Sequence, residues 1–269
     1  MVDRALVDTV KSIAATAAER IMEVYDSRFA VEHKDDRSPL TEADLAAHRV
    51  IVCRLRAATP DVPVLSEEAS AVPHETRRRW ERYWLVDPLD GTREFVGRNG
   101  EFTVNIALID AHRPILGVVW IPVDGRCYFA AEGHGAFRQA PGRAPERITA
   151  RRLPAERIAI AGSRSHGNPE TSAFIERVER RYPGAEMKAM GSSLKFCLVA
   201  EGAVDVYPRF GPTSEWDTAA AQCVVEAAGG RVTDLSLSPL RYNTKDSLLN
   251  PHFLVFGDAS VDWSTYLGG

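Results

Sequence analysis

Asp87-Pro88-Leu89-Asp90-Gly91-Thr92 is the stretch on which the reading of this chain turns. It follows Trp84-Leu85-Val86, an apolar run that reads as the end of a buried strand. Two carboxylates then enter a sharp turn closed by Gly91 and Thr92. At a strand end Asp87 and Asp90 can converge on one point, and crowded carboxylates stay ionised only with a cation between them. Hard oxygen ligands around a turn suit Mg²⁺, which keeps positions open for water and phosphate oxygens. The backbone N–H groups of Gly91 and Thr92 offer a seat for a phosphate. Asp, Pro and Gly are also the commonest turn residues, so the hexapeptide alone reads equally as an ordinary loop. The rest of the chain separates the two readings.

Bulk composition narrows the class. The chain has 269 residues, 45% hydrophobic and 26% charged, which suits a soluble globular protein with a core, built as one large domain or two packed halves. A formal charge of −4 argues against a general binder of nucleic acid or anionic membrane. Cys53, Cys127, Cys197 and Cys223 are scattered and form no CxxC pair, a usage that fits a reducing compartment. Met1 leads directly into charged and polar residues, and no run reaches the roughly 20 apolar residues of a membrane span. The expected address is the cytoplasm.

Outward from the hexapeptide, the first half reads as two helices and an antiparallel meander. Leu6, Val10, Ile13, Ala17, Ile21 and Val24 recur at helical spacing over 3–26, and a second helix is predicted from Thr41 to Ala58. Between them, Phe29 to His33 reads as a short strand and Lys34 to Pro39 as a charged loop. Thr41 with Asp44 imitates a capping box, so Asp44 either caps this helix or faces the Asp87 turn. Val62 to Leu65 is a short strand that ends in Ser66-Glu67-Glu68, again presenting carboxylates at a strand end, with Glu67 nearer to it. Strands are predicted at Phe102–Ile109, Ile115–Ile121 and Cys127–Ala131, joined by short turns. Gly133 to Arg147 is rich in Gly and Pro and reads as the junction between halves 1–145 and 146–269.

The second half alternates. Strands at Ile158–Ala161, Glu186–Met190, Val204–Pro208 and Arg231–Thr233 are separated by helices at 170–181, 193–201 and 214–228, an α/β texture. Asp217 falls in the first turn of the last helix, where the helix dipole favours a carboxylate whether or not it has another task.

Asp87–Thr92, Glu67-Glu68 and Trp216-Asp217, in this order and spacing, resemble the signature motifs of the inositol monophosphatase superfamily. The resemblance extends from Lys34 to Gly230. It implies a layered α-β-α-β-α sandwich, an α/β (α+β) fold, and a Mg²⁺-dependent, lithium-sensitive phosphatase. Ser38–Asp44, Gly191–Cys197 and Tyr207-Pro208-Arg209 look like its CysQ-type branch, the 3'(2'),5'-bisphosphate nucleotidases. That branch hydrolyses 3'-phosphoadenosine 5'-phosphate to AMP and phosphate, clearing a by-product of sulfate activation.

Carried over by position, the pattern implies that Glu67, Asp87, Leu89 (through its carbonyl), Asp90 and Asp217 hold two or three Mg²⁺ ions. Asp44 and the Thr92 hydroxyl would orient the attacking water. The substrate would meet Glu67, Leu89, Asp90, Gly91, Thr92 and Asp217 at the metal side. Ser192, Lys195 and Arg209 would meet its phosphates, and His166 its nucleoside. Arg209 stands in the neighbourhood where inositol monophosphatases tend to place a Glu, and its guanidinium fork suits a second phosphate.

The alternatives within the superfamily are inositol monophosphate, fructose 1,6-bisphosphate and histidinol phosphate. A haloacid dehalogenase-type motif would space its aspartates one residue apart, not two. A Ca²⁺ or phosphometabolite sensor of the EF-hand kind would need ligands that Asp87 to Arg98 does not supply. The expected partner is a small nucleotide and not a nucleic acid. Monomer and homodimer stay open, and peripheral membrane association, known in this branch, leaves no signal in the sequence.

Overall fold

Trp84 and Val86 point to one side of their strand and Tyr83 and Leu85 to the other, and this alternation sorts the molecule into layers. The computed structural model describes residues 2–27, 31–33, 39–154, 156–162 and 168–268. The expected loop at 34–38, the start of the strand read from Phe29, and His166 lie outside the described residues.

Helix α1 (Arg4–Tyr25) is followed by the antiparallel pair β1 (Val31–His33) and β2 (Pro39–Thr41), then by helix α2 (Glu42–Ala58). Strand β3 (Val64–Ser66) leads through one 3-10 turn, Glu67–Ala69, and the short helix α3 (His74–Arg77) to β4 (Arg82–Asp90) and α4 (Thr92–Val96). The meander comprises β5 (Thr103–Asp110), β6 (Arg113–Trp120), β7 (Cys127–Ala131), β8 (Gly135–Gln139) and β9 (Glu146–Ile148). These strands form a seven-stranded sheet in sequential order β3 to β9, in which only β3 and β4 run parallel.

After the meander come β10 (Ala159–Gly162), α5 (Pro169–Arg181), β11 (Glu186–Ala189), α6 (Leu194–Ala200), β12 (Val206–Arg209) and α7 (Glu215–Ala227). The chain ends with β13 (Arg231–Asp234), β14 (Phe253–Phe256) and α8 (Ser264–Leu267). The second sheet runs β11-β10-β12-β14-β13, parallel among its first three strands and antiparallel beyond.

Three apolar clusters fill the gaps between layers. Val10, Ile13 and Ile21 of α1 and Ile51 and Leu55 of α2 cover the outer face of the first sheet, against Trp84, Val86, Val104 and Ile106. Leu85, Ala107 and Val119 on its inner face meet α6 and α7, which in turn pack on Tyr207, Phe253 and Val255 of the second sheet. Phe174 and Val178 of α5, with Trp263 before α8, close the far face. The order is therefore α-β-α-β-α, the expected sandwich.

Helix α7 approaches the first sheet very closely: a Cβ on Gly117 of β6 would stand 2.2 Å from the Ala220 carbonyl oxygen. That contact accounts for a glycine in the middle of a buried strand and for the Ala219-Ala220-Ala221 run facing it.

Three expectations need correction. The stretch 133–147, read as a Gly/Pro-rich junction, carries β8 and the start of β9, so the first sheet runs on to Ile148. The Gly and Pro residues there only turn the hairpins. Strand β14, interior to the second sheet, follows a long irregular stretch and had no alternation partner to betray it. Strand β4 does not stop at Val86 but runs through the hexapeptide to Asp90.

Candidate active site

In a regular strand, residues three apart face opposite ways, so Asp87 and Asp90 should diverge. They do not. Asp87 pairs with Asn105 and Asp90 with Thr103, so three steps on β4 match two on β5, which is a β-bulge. Asn105 and Thr103 share one face, and the extra residue brings both aspartates to that same face. Pro88, which lacks an N–H, sits inside the bulge, where no ladder bond is asked of it. Gly91 then takes φ +92° as the cap of α4, a left-handed conformation open to glycine.

The same parity recruits Glu67. Leu65 pairs with Leu85 in the parallel register β3–β4, and Glu67 lies two residues on, as Asp87 does from Leu85. Both carboxylates therefore emerge on the face towards α7, and a side-chain hydrogen bond links them. Ser66, of opposite parity, turns towards α2 and meets His48 Nδ1 at 2.8 Å.

Asp217 enters from the second half. It is the third residue of α7, and its Oδ2 accepts from the Ser214 N–H at 2.8 Å, with Ser214 completing a capping box. Burial, the largest cause, holds the Asp87 carboxyl well above the usual carboxylate range, with added repulsion from Glu67, Asp90 and Asp217. Burial, then Asp90 and Glu67, raise Asp217 in the same sense.

Asp44 joins the cluster from its other side. Its Oδ2 accepts from the Thr41 N–H at 2.8 Å and the Thr41 hydroxyl at 2.6 Å, so the capping role is real. Its Oδ1 accepts from the Thr92 hydroxyl at 3.3 Å, and that hydroxyl also lies 3.3 Å from the Leu89 carbonyl. The cap and the contact with Thr92 thus use separate oxygens of one carboxylate.

Among the described residues, no three His, Cys, Asp or Glu side chains are drawn together at ready ligand spacing. The chemistry of the donor set decides the fit instead. Asp87 and Asp217, whose carboxyls burial and the neighbouring acids hold above the usual range, form with Glu67, Asp90 and the Leu89 carbonyl an all-oxygen set with unbalanced negative charge. A hard divalent cation relieves that imbalance. The residues fit the group.

Asp90 and Asp217 also line a cleft, together with Gly91, Ser192, Ser193, Lys195 and Arg209. Lys195 is 5% exposed and donates to the carbonyls of Met190 (3.2 Å) and Ser192 (2.7 Å), which leaves one of its three N–H groups for a ligand. Burial lowers its pKa to about 8, with Asp90 the main group opposing that shift. The Ser192 Oγ and the Arg209 Nε are buried without a hydrogen-bond partner, polar atoms that a ligand in the cleft could satisfy. Arg209 holds its fork by donating from Nη2 to the Pro212 carbonyl at 3.0 Å.

Sequence reasoning missed the residues that fasten the two halves at this point. Ser193 gives Asp90 Oδ2 its N–H at 2.6 Å, and its hydroxyl lies 2.6 Å from the same oxygen and 2.8 Å from the Asp217 carbonyl. Asn105 Nδ2 donates to Ser193 Oγ at 2.8 Å and to Asp90 Oδ2 at 3.3 Å. An Asn at 1% exposure within Val104-Asn105-Ile106 was the available signal, since a polar side chain in an apolar strand needs a partner.

The sequence pattern of the Inositol monophosphatase family matches residues 3–256. The chain is 49% identical over 252 residues to the 3'(2'),5'-bisphosphate nucleotidase CysQ of Escherichia coli, an alignment that covers 93% of this chain and 99% of that protein. The CysQ nucleotidase of Haemophilus influenzae is 36% identical over 259 residues, covering 96% and 95%. The crystal structure of CysQ from Bacteroides thetaiotaomicron superposes with a TM-score of 0.83 at 40% identity, over 94% of this chain and 97% of that one.

Proposed function

The chain belongs to the inositol monophosphatase family, and on that premise we propose that it hydrolyses the 3'(2')-phosphate of 3'(2')-phosphoadenosine 5'-phosphate, giving AMP and phosphate. The observation that carries this reading is one cleft with two chemistries, lined by Asp90 and Asp217 together with Ser192, Lys195 and Arg209. The acids alone suit any monophosphatase of the family. Two cations and an unpartnered hydroxyl in the same cleft suit a substrate with a second phosphate, and the relatives named for that activity align over nearly the whole chain.

Glu67, Asp87, Asp90, Asp217 and the Leu89 carbonyl would hold Mg²⁺, as two or three ions, which supply an activated water and shield the phosphoryl oxygens. The Thr92 hydroxyl donates to Asp44 and so keeps its lone pairs for a hydrogen of the attacking water, which the pair thereby orients. Gly91 and Thr92 offer N–H groups to the phosphate under attack. Lys195 adds its remaining N–H, and the Arg209 fork takes the second phosphate. Catalysis of this kind is positioning and electrostatics, and no side chain needs to be phosphorylated.

The two halves, the first running to Ile148 with its sheet, act as one catalytic unit on this reading, because Asp217 and Ser193 of the second half complete what Asp90 begins in the first. Among the described residues no helix is long and apolar enough to cross a membrane. The proposal keeps a cytoplasmic address, no nucleic-acid partner, and a monomer or homodimer.

Assay of the purified protein with Mg²⁺, with and without Li⁺, tests the reading. Adenosine 3',5'-bisphosphate is expected to be hydrolysed well ahead of inositol 1-phosphate, with Li⁺ inhibiting. Equal turnover of the two esters would sink the nucleotide assignment and leave a general family phosphatase.

A further inference from the structure

The wall of the cleft that receives phosphate carries one residue of the wrong charge. Glu94, the third residue of α4, lines it beside Ser192, Lys195 and Arg209. Its stem passes through a slot between the two phosphate loops: a Cβ on Gly191 would stand 2.7 Å from Glu94 Cγ, and one on Gly91 would stand 3.4 Å from Glu94 Oε2. Glycine at position 191 is what leaves room for it. The carboxylate is half-buried and takes no hydrogen bond among the described residues, unlike Glu101 nearby, whose Oε2 accepts from the Gly191 N–H at 2.7 Å. Lys195 feels its charge.

An anion held beside Gly91 repels the phosphate that Gly91 and Thr92 would receive. Lys195 and Arg209 in the same cleft offset part of that repulsion, and a donor that the ligand brings to the carboxylate offsets more of it. We propose that Glu94 is a specificity-determining residue, whose carboxylate accepts a hydrogen bond from the free ribose hydroxyl adjacent to the scissile phosphate. The hydroxyl is the uncharged donor nearest that phosphate on such a substrate, whereas the base lies a ribose away. Either isomer meets the requirement, because a 3'-phosphate leaves the 2'-hydroxyl free and a 2'-phosphate leaves the 3'-hydroxyl. The inference rests on the proposed nucleotidase activity and adds to it a sugar requirement.

The experiment compares kcat/KM for adenosine 3',5'-bisphosphate and its 2'-deoxy analogue, with Mg²⁺, in the wild-type protein and in Glu94→Gln, which keeps the shape that fits between the two glycines. One hydrogen bond to a charged group corresponds to about a 10- to 150-fold preference for the ribose substrate in the wild type. In Glu94→Gln that ratio is expected to fall to within ~3-fold, mainly through a raised KM for the ribose substrate, since the neutral amide keeps a weaker acceptor. A wild-type ratio within ~3-fold, or a variant that slows both substrates equally and so keeps the ratio, overturns the assignment while leaving the nucleotidase reading intact. Turnover of neither nucleotide by the wild type overturns both. The wild-type ratio needs no variant, so the test survives any folding defect in Glu94→Gln.

Discussion

At the scale of single residues, Asp44 combines an ordinary capping role with the second one proposed for it. Thr41 occupies Oδ2 and Thr92 occupies Oδ1, so Asp44→Asn retains the cap if the amide oxygen stays on Thr41 and then turns an NH₂ towards Thr92. The variant should melt close to the wild type but lose about 10²–10⁴ in kcat at saturating Mg²⁺, the range for a positioned group that handles a proton. Near-normal turnover would reduce Asp44 to a cap. Lys195 supports a prediction in pH. Burial depresses its pKa to about 8, so it is charged at pH 7 and loses its proton as pH rises through that value. KM for the bisphosphate should therefore climb above about pH 8, and Lys195→Met should raise KM at pH 7 and abolish that climb. The stability sign is opposite: between about 8 and the ordinary lysine value the unfolded chain binds the extra proton, so this residue's contribution to stability improves as pH rises through the window. The acids and Lys195 were legible because their chemistry is written in residue type. Ser193 was not, since nothing in Ser192-Ser193 says which serine turns towards Asp90 and which towards the cleft.

Elements explain what residue spacing cannot. Glu67, Asp87 and Asp90 were expected at strand ends, but their convergence depends on the β4 bulge and on the parallel pairing of β3 with β4, and register is a property of two strands together. Capping signals were legible at Thr41 and Ser214, because they are local. The device that holds the start of α7 is not local. Asn243, at φ +57°, donates Nδ2 to the Arg77 carbonyl and accepts from Arg77 Nη1, each at 2.6 Å, while its N–H reaches Glu215 Oε2 at 2.8 Å. The buried Arg77 guanidinium also reaches the carbonyls of Lys245 and Asp246. Asn250 then ties the same strap to Ser214 and Thr218. Asn243→Ala removes one side-chain bond to the buried Arg77 guanidinium and one to the Arg77 backbone carbonyl, and puts Ala at a positive φ. It should lower unfolding stability by roughly 1.5–3 kcal/mol, read as a lower urea midpoint at unchanged m. A loss below about 0.5 kcal/mol, the scale of an ordinary surface substitution, would mean the strap is held elsewhere.

Across the whole molecule, the layer order was legible from alternation and helical periodicity, and its closing strand β14 was not. The same long-range assembly makes the acid cluster. Asp87 and Asp90 hang from the inner face of the first sheet, Asp217 arrives on the helix sandwiched between sheets, and Gly117 lets that helix come within backbone contact. An unfolded chain scatters these groups over more than a hundred residues, so a divalent cation held by the proposed ligands would find the full set only in the folded protein. Binding to the native state alone stabilises it by about 2.7 kcal/mol at a hundredfold excess over Kd. For a chain of this size that corresponds to a rise in Tm of roughly 5–10 °C. Chelator-treated protein should therefore be inactive and melt lower, and Mg²⁺ should restore both in a dose-dependent way. The rise should shrink in Asp90→Asn, which keeps an acceptor for Ser193 while removing one charge from the cluster. It should shrink as well in Gly117→Ala, where the added methyl must push α7, and Asp217 with it, away from the first sheet. Gly117 touches none of the carboxylates. A loss of Mg²⁺ stabilisation there would come from displacement of the layers, whereas an unchanged rise would show that the cluster tolerates a shifted α7.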